Sequence, residues 1–361
     1  MNIALISISA LRNTKEATRI TILSLAQELI NLGHTAVVIG EKASGYPNYE
    51  KIGDVSLYRF GFPVLSKLFF PARAVHTLQK KMGIQFDIIH GFSSTPLFVL
   101  SSVLAKRYSP KSRVIHTLRS YSRKRGGNMF YSLLNLADQI TVPSKVFATK
   151  LKSISPEKLA IIHSWVDISK FRPFDKKQLK KKYGYEGKKI VFHYGAMWRN
   201  KGTEYLIRAI PLIVQEQKEV HFLFAPRYSA INDLQDLVDK LQISTYVTFI
   251  TSTITIEEYV TMADVVVLPY VSLQGTEGNP SCLLEAMACK TTVVTTNLPE
   301  LQEVTANSVL FANPSDIHTL ARQISIAFNP NPKMIEQAYQ KAQEFGINLI
   351  ASRIIRLYRK N

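Results

Sequence analysis

Short apolar runs alternate with amphipathic stretches along this chain, and the alternation is played through twice. In the first half, runs near Ile3 to Ile8, Ala36 to Ile39, Ser56 to Phe60, Ile88 to His90, Val114 to Thr117, Gln139 to Val142 and Leu159 to Ile162 read as strands. From Ile20 through Leu32, residues Leu23, Ala26, Leu29 and Ile30 share one helical face, and Gly33-His34 supplies a stop. The series restarts after Asp167-Ile168-Ser169-Lys170-Phe171-Arg172-Pro173. Strands follow near Ile190 to Tyr194, Val220 to Ala225, Val247 to Ile250, Val265 to Pro269 and Thr292 to Thr295. Near-continuous apolar strands separated by helices form parallel sheets covered on both faces. Ile350, Ile354 and Leu357 mark a last helix by their spacing.

A chain of 361 residues has room for two cores of this kind. Its 45 Lys and Arg against 27 Asp and Glu leave a formal charge of +18, which calls for an anionic partner or surface. Cys282 and Cys289, seven apart on one predicted helix, read as two buried core thiols of a reducing, cytoplasmic compartment. The apolar start Met1 to Ile8 lacks a basic leader and ends too soon for a signal peptide or a membrane span, so it reads as a buried first strand. The expectation is a cytoplasmic protein, soluble or peripheral at a membrane.

The segment Glu277-Gly278-Asn279-Pro280-Ser281-Cys282-Leu283-Leu284-Glu285-Ala286-Met287-Ala288 carries the most chemistry. Asn279 is placed to cap a helix and Pro280 to open it, which carries Glu285 inward with Leu283, Leu284 and Met287. Free N–H groups of a helix start receive phosphate or sugar oxygens, and two carboxylates accept hydrogen bonds from neighbouring hydroxyls. Sugars and riboses offer such hydroxyls.

Continued through Cys289-Lys290-Thr291-Thr292-Val293-Val294, this segment resembles the donor-binding region of family 4 glycosyltransferases, retaining enzymes of the GT-B fold. The resemblance implies an α/β architecture of two Rossmann-like domains facing across a central cleft. It places an N-terminal acceptor-side domain at residues 1–172, to which helix 345–361 crosses back, and a nucleotide-sugar-binding domain at 173–344. By position, Glu277 would contact the transferred sugar, the main chain of Gly278, Asn279, Pro280 and Ser281 the sugar and phosphate, and Glu285 the ribose. A second family motif, Tyr194-Gly195-Ala196-Met197-Trp198-Arg199-Asn200-Lys201-Gly202, runs from a strand into a turn at Gly195, with a helix from near Thr203. There the resemblance puts Lys201 on the donor pyrophosphate.

The chain departs from the family at three points. Ala196 stands where an Arg often follows the Gly, and Arg199 is offered as the replacement charge. Glu16 and Ala17 stand where a Gly-Gly pair is common; a carboxylate there repels a diphosphate unless Lys15 or Arg19 screens the site, so the alternative is a loop that faces the acceptor or solvent. Arg119 occupies the usual position of a His; His116, three residues earlier, reads as a structural strand residue. Arg119 and Arg123, with Lys124 and Arg125, form a basic cluster on the acceptor or phosphate side. A second basic stretch, Lys67-Leu68-Phe69-Phe70-Pro71-Ala72-Arg73 with Lys80 and Lys81, reads equally as a helix entry with packed phenylalanines or as a membrane contact.

The sequence lacks a P-loop, zinc-ligand spacing and the Asp-X-Asp motif of the other major glycosyltransferase fold, so neither metal nor cofactor is expected. The reading is a retaining, metal-independent transferase that moves a sugar from a nucleotide-diphosphate sugar to an acceptor hydroxyl, lipid-linked or otherwise, in polysaccharide or glycolipid synthesis. Its catalytic residues would be Glu277 and Lys201. Its rival is a nucleotide-sugar-binding protein of the same fold with impaired catalysis, suggested by the departures. Nucleic acid is not an expected partner, because no recognition motif accompanies the charge.

Overall fold

The computed structural model describes residues 1–9, 11, 17–61, 66–120, 127–227, 231–274 and 278–359. They form two compact units, one of Met1–His163 with Gly275–Gly278 and Ile347–Asn361, the other of Ser164–Gln274 with Asn279–Gly346.

The first unit is built on β1 (Asn2–Ser7), β2 (Thr35–Glu41), β3 (Tyr49–Ile52), β4 (Val55–Phe60), β5 (Ile88–Phe92), β6 (Arg113–Thr117), β7 (Gln139–Val142) and β8 (Leu159–Ile161). These lie in the order β3-β4-β2-β1-β5-β6-β7-β8, parallel throughout except where β3 pairs antiparallel with β4. Ile3 to Ile6 are fully buried because helices cover both faces of the central strand. The helix Ala17–Asn31 ends as the sequence suggests: Gly33 takes φ +80°, its N–H donates to Ile30, and His34 N–H donates to Leu29. The last helix, Ile347–Arg359, joins this unit with Ile350, Ile354 and Leu357 buried. Tyr358 Oη lies 2.8 Å from His90 Nδ1, and Arg113 donates to the carbonyls of Leu357 and Tyr358.

Three expectations change here. Arg19 does not screen a phosphate loop. It is buried, donates to the Leu11 carbonyl and pairs with Glu50 at 2.7 Å, while buried Arg59 holds the same carbonyl and carboxylate. The two guanidiniums thus fix Leu11 at φ +50°, a strained angle for a residue with a Cβ. In the helix Ser66–Met82, Phe70 is fully buried but Phe69 is exposed, so the aromatic pair divides between the two readings. Strand β3 was not foreseen, since Tyr-Glu-Lys-Ile has no apolar run and alternates exposed with half-buried positions at the sheet edge.

The second unit contains β9 (Lys189–Gly195), β10 (Val220–Pro226), β11 (Val247–Phe249), β12 (Val265–Leu268), β13 (Thr292–Thr296) and β14 (Leu310–Ala312). The order β11-β10-β9-β12-β13-β14 is parallel throughout and, counted within the unit, is the 3-2-1-4-5-6 order of the Rossmann fold. Strand order reverses between β9 and β12, the place where such sheets take ligand at their carboxyl ends. The three-residue β14 escaped the sequence reading. The basic run that precedes β9 is mostly paired within the unit: Lys176 and Lys180 with Asp264, Lys182 with Glu258, Lys188 with Glu219.

Charge divides unevenly between the units. The first holds 26 Lys and Arg against 9 Asp and Glu, a surplus of 17, and the second 19 against 18, a surplus of 1. Together these make the +18 of the chain.

Candidate functional site

Beyond Gly195 the chain leaves β9 and makes the turn Arg199–Lys201 before the helix Thr203–Glu216. Gly202 joins turn to helix at φ +75°, and a Cβ there would lie 1.7 Å from the Pro269 carbonyl oxygen. Only glycine fits, because the backbone lies directly on the end of β12. Asn200 strengthens the seam: its carbonyl accepts from Val271 N–H and its side chain donates to the Gln274 carbonyl. Beneath the loop, His193 Nε2 lies 2.9 Å from Thr203 Oγ1 and Nδ1 lies 2.8 Å from the Val267 carbonyl. The carbonyl can only accept, so Nδ1 carries the proton and Nε2 accepts from the threonine. Burial lowers the His193 pKa to about 4, which keeps this bridge neutral.

From the β12 side, Thr295 and Thr296 donate to the carbonyls of Leu268 and Tyr270 and set the segment that follows the strand. The Tyr270 ring supports the Lys201 ammonium, with Nζ 4.7 Å from its centroid. The Tyr270 hydroxyl meets Cys282 Sγ at 3.1 Å, in the first turn of the helix Ser281–Ala288. Tyr194, the residue before Gly195, donates to Glu285 Oε2 at 2.8 Å, with the Cys282 carbonyl at 3.0 Å. Burial, then the Glu285 carboxylate, pushes the Tyr194 pKa well up, so its proton stays in this bond. A cation, a carboxylate and a helix start are thereby joined at the carboxyl ends of β9 and β12.

The helix start differs from its sequence reading. Pro280, with φ −69° and ψ 128°, is the N-cap, and the helix begins at Ser281. Asn279 makes no cap: it is fully buried, and neither Oδ1 nor Nδ2 has a hydrogen-bond partner among the described residues. Proline's fixed φ suits an N-cap, and a residue before proline avoids helical angles. Glu285 also stays half-exposed, on the face shared with Ser281 and Cys282, while Leu283, Leu284 and Met287 enter the core. Cys289 is a buried thiol as expected; Cys282 is half-buried and belongs to the site, its thiol pushed up to about 11 by burial.

Of the remaining residues, Arg199 is exposed on its turn. Gly278 belongs to the first unit, where its N–H donates to the Arg119 carbonyl at 3.3 Å and a Cβ would meet Pro143 and Phe147 at 2.9 Å. Glu277 and Arg123 lie outside the described residues, as do Glu16, Lys124, Arg125 and the Lys67 side chain. His116 is fully buried on β6, its pKa lowered by burial to about 4. No group of three His, Cys, Asp or Glu side chains gathers to hold a metal ion among the described residues.

Residues 19–170 match the family described as Glycosyltransferase Family 4, and residues 188–329 match Glycosyl transferases group 1. The chain belongs to the family 4 glycosyltransferases. As a relative of this glycosyltransferase, the phosphatidylinositol N-acetylglucosaminyltransferase GPI3 subunit of Saccharomyces cerevisiae is 22% identical over 326 residues, 84% of this chain and 70% of the relative. Sucrose-phosphate synthase from Thermosynechococcus elongatus superimposes with TM-score 0.82 at 20% identity, over 99% of this chain and 98% of that one. Anabaena HepE in complex with UDP gives 0.79 at 17%, over 99% of each. These two share the GT-B fold with this glycosyltransferase. The enzyme depends on a nucleotide sugar. Among its described residues no helix is long and apolar enough to cross a membrane.

One residue of the site was missed. Arg227 follows β10, and its N–H donates to the Gly195 carbonyl at 2.8 Å. An isolated Arg after Pro226 gives no sequence signal. Its significance depends on the pairing of β10 with β9.

Proposed function

We propose that the enzyme is a retaining, metal-independent hexosyltransferase acting from a nucleotide-diphosphate sugar. The observation that carries this reading is the junction of Lys201, the Ser281–Ala288 helix start and Glu285 around Tyr270, Cys282 and Tyr194. Glu285 would hold the ribose hydroxyls, Lys201 the diphosphate, and the main chain of Asn279, Pro280 and Ser281 would face sugar and phosphate. Glu277 would orient the sugar. The UDP bound in HepE supports a nucleoside diphosphate as the product left in the site.

The bond from the sugar's anomeric carbon to the β-phosphate oxygen breaks, and a bond to the acceptor oxygen forms on the same face. The departing phosphate takes the acceptor's proton. Such a reaction needs its charge stabilised and its partners aligned rather than a protein nucleophile. Lys201 and the helix start bring positive charge to the leaving diphosphate, the service that a metal ion performs elsewhere.

The acceptor in this reading is lipid-linked or membrane-proximal, and the enzyme serves glycolipid or cell-surface polysaccharide synthesis as a peripheral cytoplasmic protein. Two observations support it: the first unit carries nearly all the surplus charge, and the yeast relative is named for a phosphatidylinositol acceptor. The test is turnover with UDP-, GDP-, ADP- and dTDP-sugars and phosphatidylinositol or polyprenyl-phosphate acceptors, with EDTA present and the product anomer read by NMR. Inverted product, or activity abolished by EDTA and restored by a divalent cation, would overturn the mechanism.

A further inference from the structure

A donor diphosphate brings two or more negative charges to the site, and Lys201 answers one of them. The obvious second cations do not serve. Arg199 is exposed on its turn, and Arg208 is paired with Glu204 at 2.7 Å. Position 196 holds a methyl group only. The parallel register of β9 and β10 aligns Tyr194 with Ala225 and Gly195 with Pro226, which brings Arg227 beside Ala196 just past the strand ends. The 2.8 Å bond from Arg227 N–H to the Gly195 carbonyl fixes that placement.

We propose that Arg227 is a second cation for the donor diphosphate, supplying from the neighbouring strand the charge that Ala196 lacks. The proposal rests on the donor reading above. Arg227 is half-buried. Its charge also reaches the first turn of the Ser281–Ala288 helix. Lys201 and Arg227 both favour the ionised form of the Cys282 thiol, against the burial that raises its pKa to about 11. Two cations, on the segments that follow β9 and β10, therefore act on one helix start. A guanidinium offers a planar pair of donors matched to two phosphate oxygens, which an ammonium does not. Lys201 would act as a point charge and Arg227 as the fork.

The test is calorimetry with UDP, GDP, ADP and dTDP and with the four matching monophosphates, on wild type, Arg227→Ala, Arg227→Lys and the double variant Arg227→Ala with Ala196→Arg. For the diphosphate that wild type binds most tightly, Arg227→Ala is expected to lose about tenfold or more in affinity, as for a charge-assisted hydrogen bond. Its monophosphate should lose much less. Arg227→Lys should fall between, and the double variant should regain most of the loss, because the cation returns on the adjacent strand. If Arg227→Ala binds the diphosphate like wild type, or loses both ligands equally, the proposal is wrong and the donor reading stands. If wild type binds none of the diphosphates, both fall.

Discussion

The hydroxyl of Tyr194, the last residue before Gly195, donates to the carboxylate of Glu285 at 2.8 Å. A strand end thus sets the direction of a helix carboxylate that we assign to ribose. Tyr194→Phe should weaken nucleoside diphosphate binding about tenfold, the value of one hydrogen bond to a charged group. Glu285→Ala should weaken it at least as much, whereas Glu277→Ala should spare it and impair only transfer from the intact donor. Calorimetry with nucleotide alone separates these outcomes, and equal losses at Glu277 and Glu285 would remove the division of roles.

Lys201→Ala should lower turnover on the order of a hundredfold or more, as when a donor aimed at developing charge is lost. Arg199→Ala should do far less, given its exposure on the turn. Steady-state rates for the two variants settle the order. A larger loss at Arg199 would move the phosphate contact along the loop.

Replacing Gly202 by Ala should be costly without touching any ligand. The added Cβ meets the Pro269 carbonyl oxygen at 1.7 Å, and φ +75° is unfavourable for alanine. A cost of about 3 kcal/mol or more is expected from strain and displaced backbone. Urea midpoints measure it, and a loss below about 1 kcal/mol would mean that the two loops separate easily.

Three buried imidazoles make stability depend on pH. Burial holds His90 at about 3 and His116 and His193 at about 4, against 6.5 unfolded. The unfolded chain therefore binds more protons between about pH 4 and 6.5, and stability should fall as pH drops through that window. Each imidazole contributes roughly 2 kcal/mol of the loss by pH 5. Denaturant unfolding at pH 7, 6 and 5 reads the slope; a flat profile would contradict three neutral buried rings.

Anionic vesicles should bind the enzyme at low salt and release it as salt rises, since screening acts over about 8 Å at physiological ionic strength. Arg73, Lys80, Lys81, Arg107 and Lys111 are exposed on the first unit, with Phe69 exposed on the helix that carries the first three. Co-sedimentation with phosphatidylserine and with phosphatidylcholine vesicles tests this. Equal binding to both, or none to either, would leave a soluble acceptor.

The strands were legible because burial on both faces makes them nearly continuous apolar runs, as in Ile3 to Ile6 and Val265 to Leu268. The edge strand β3 and the short β14 lack that pressure and left no such trace. Within the site, the turn at Gly195 was legible in the sequence, but Asn279 misled. Capping preference is worth about 1 kcal/mol, and the dihedrals imposed around Pro280 override it. Arg227 was illegible for another reason: its neighbour Gly195 is distant in sequence and adjacent only through strand pairing.

The last helix has a consequence for biosynthesis. Residues 347–359 emerge from the ribosome after the whole second unit, yet they complete the first, where Tyr358 meets the buried His90. Until then His90 Nδ1 lacks this partner, and the apolar face that receives Ile350, Ile354 and Leu357 is uncovered. The unit made earlier on the ribosome is therefore the one finished later. A chain released at residue 346 should hold a closed second unit and an open first one, a state exposed to chaperones and proteases.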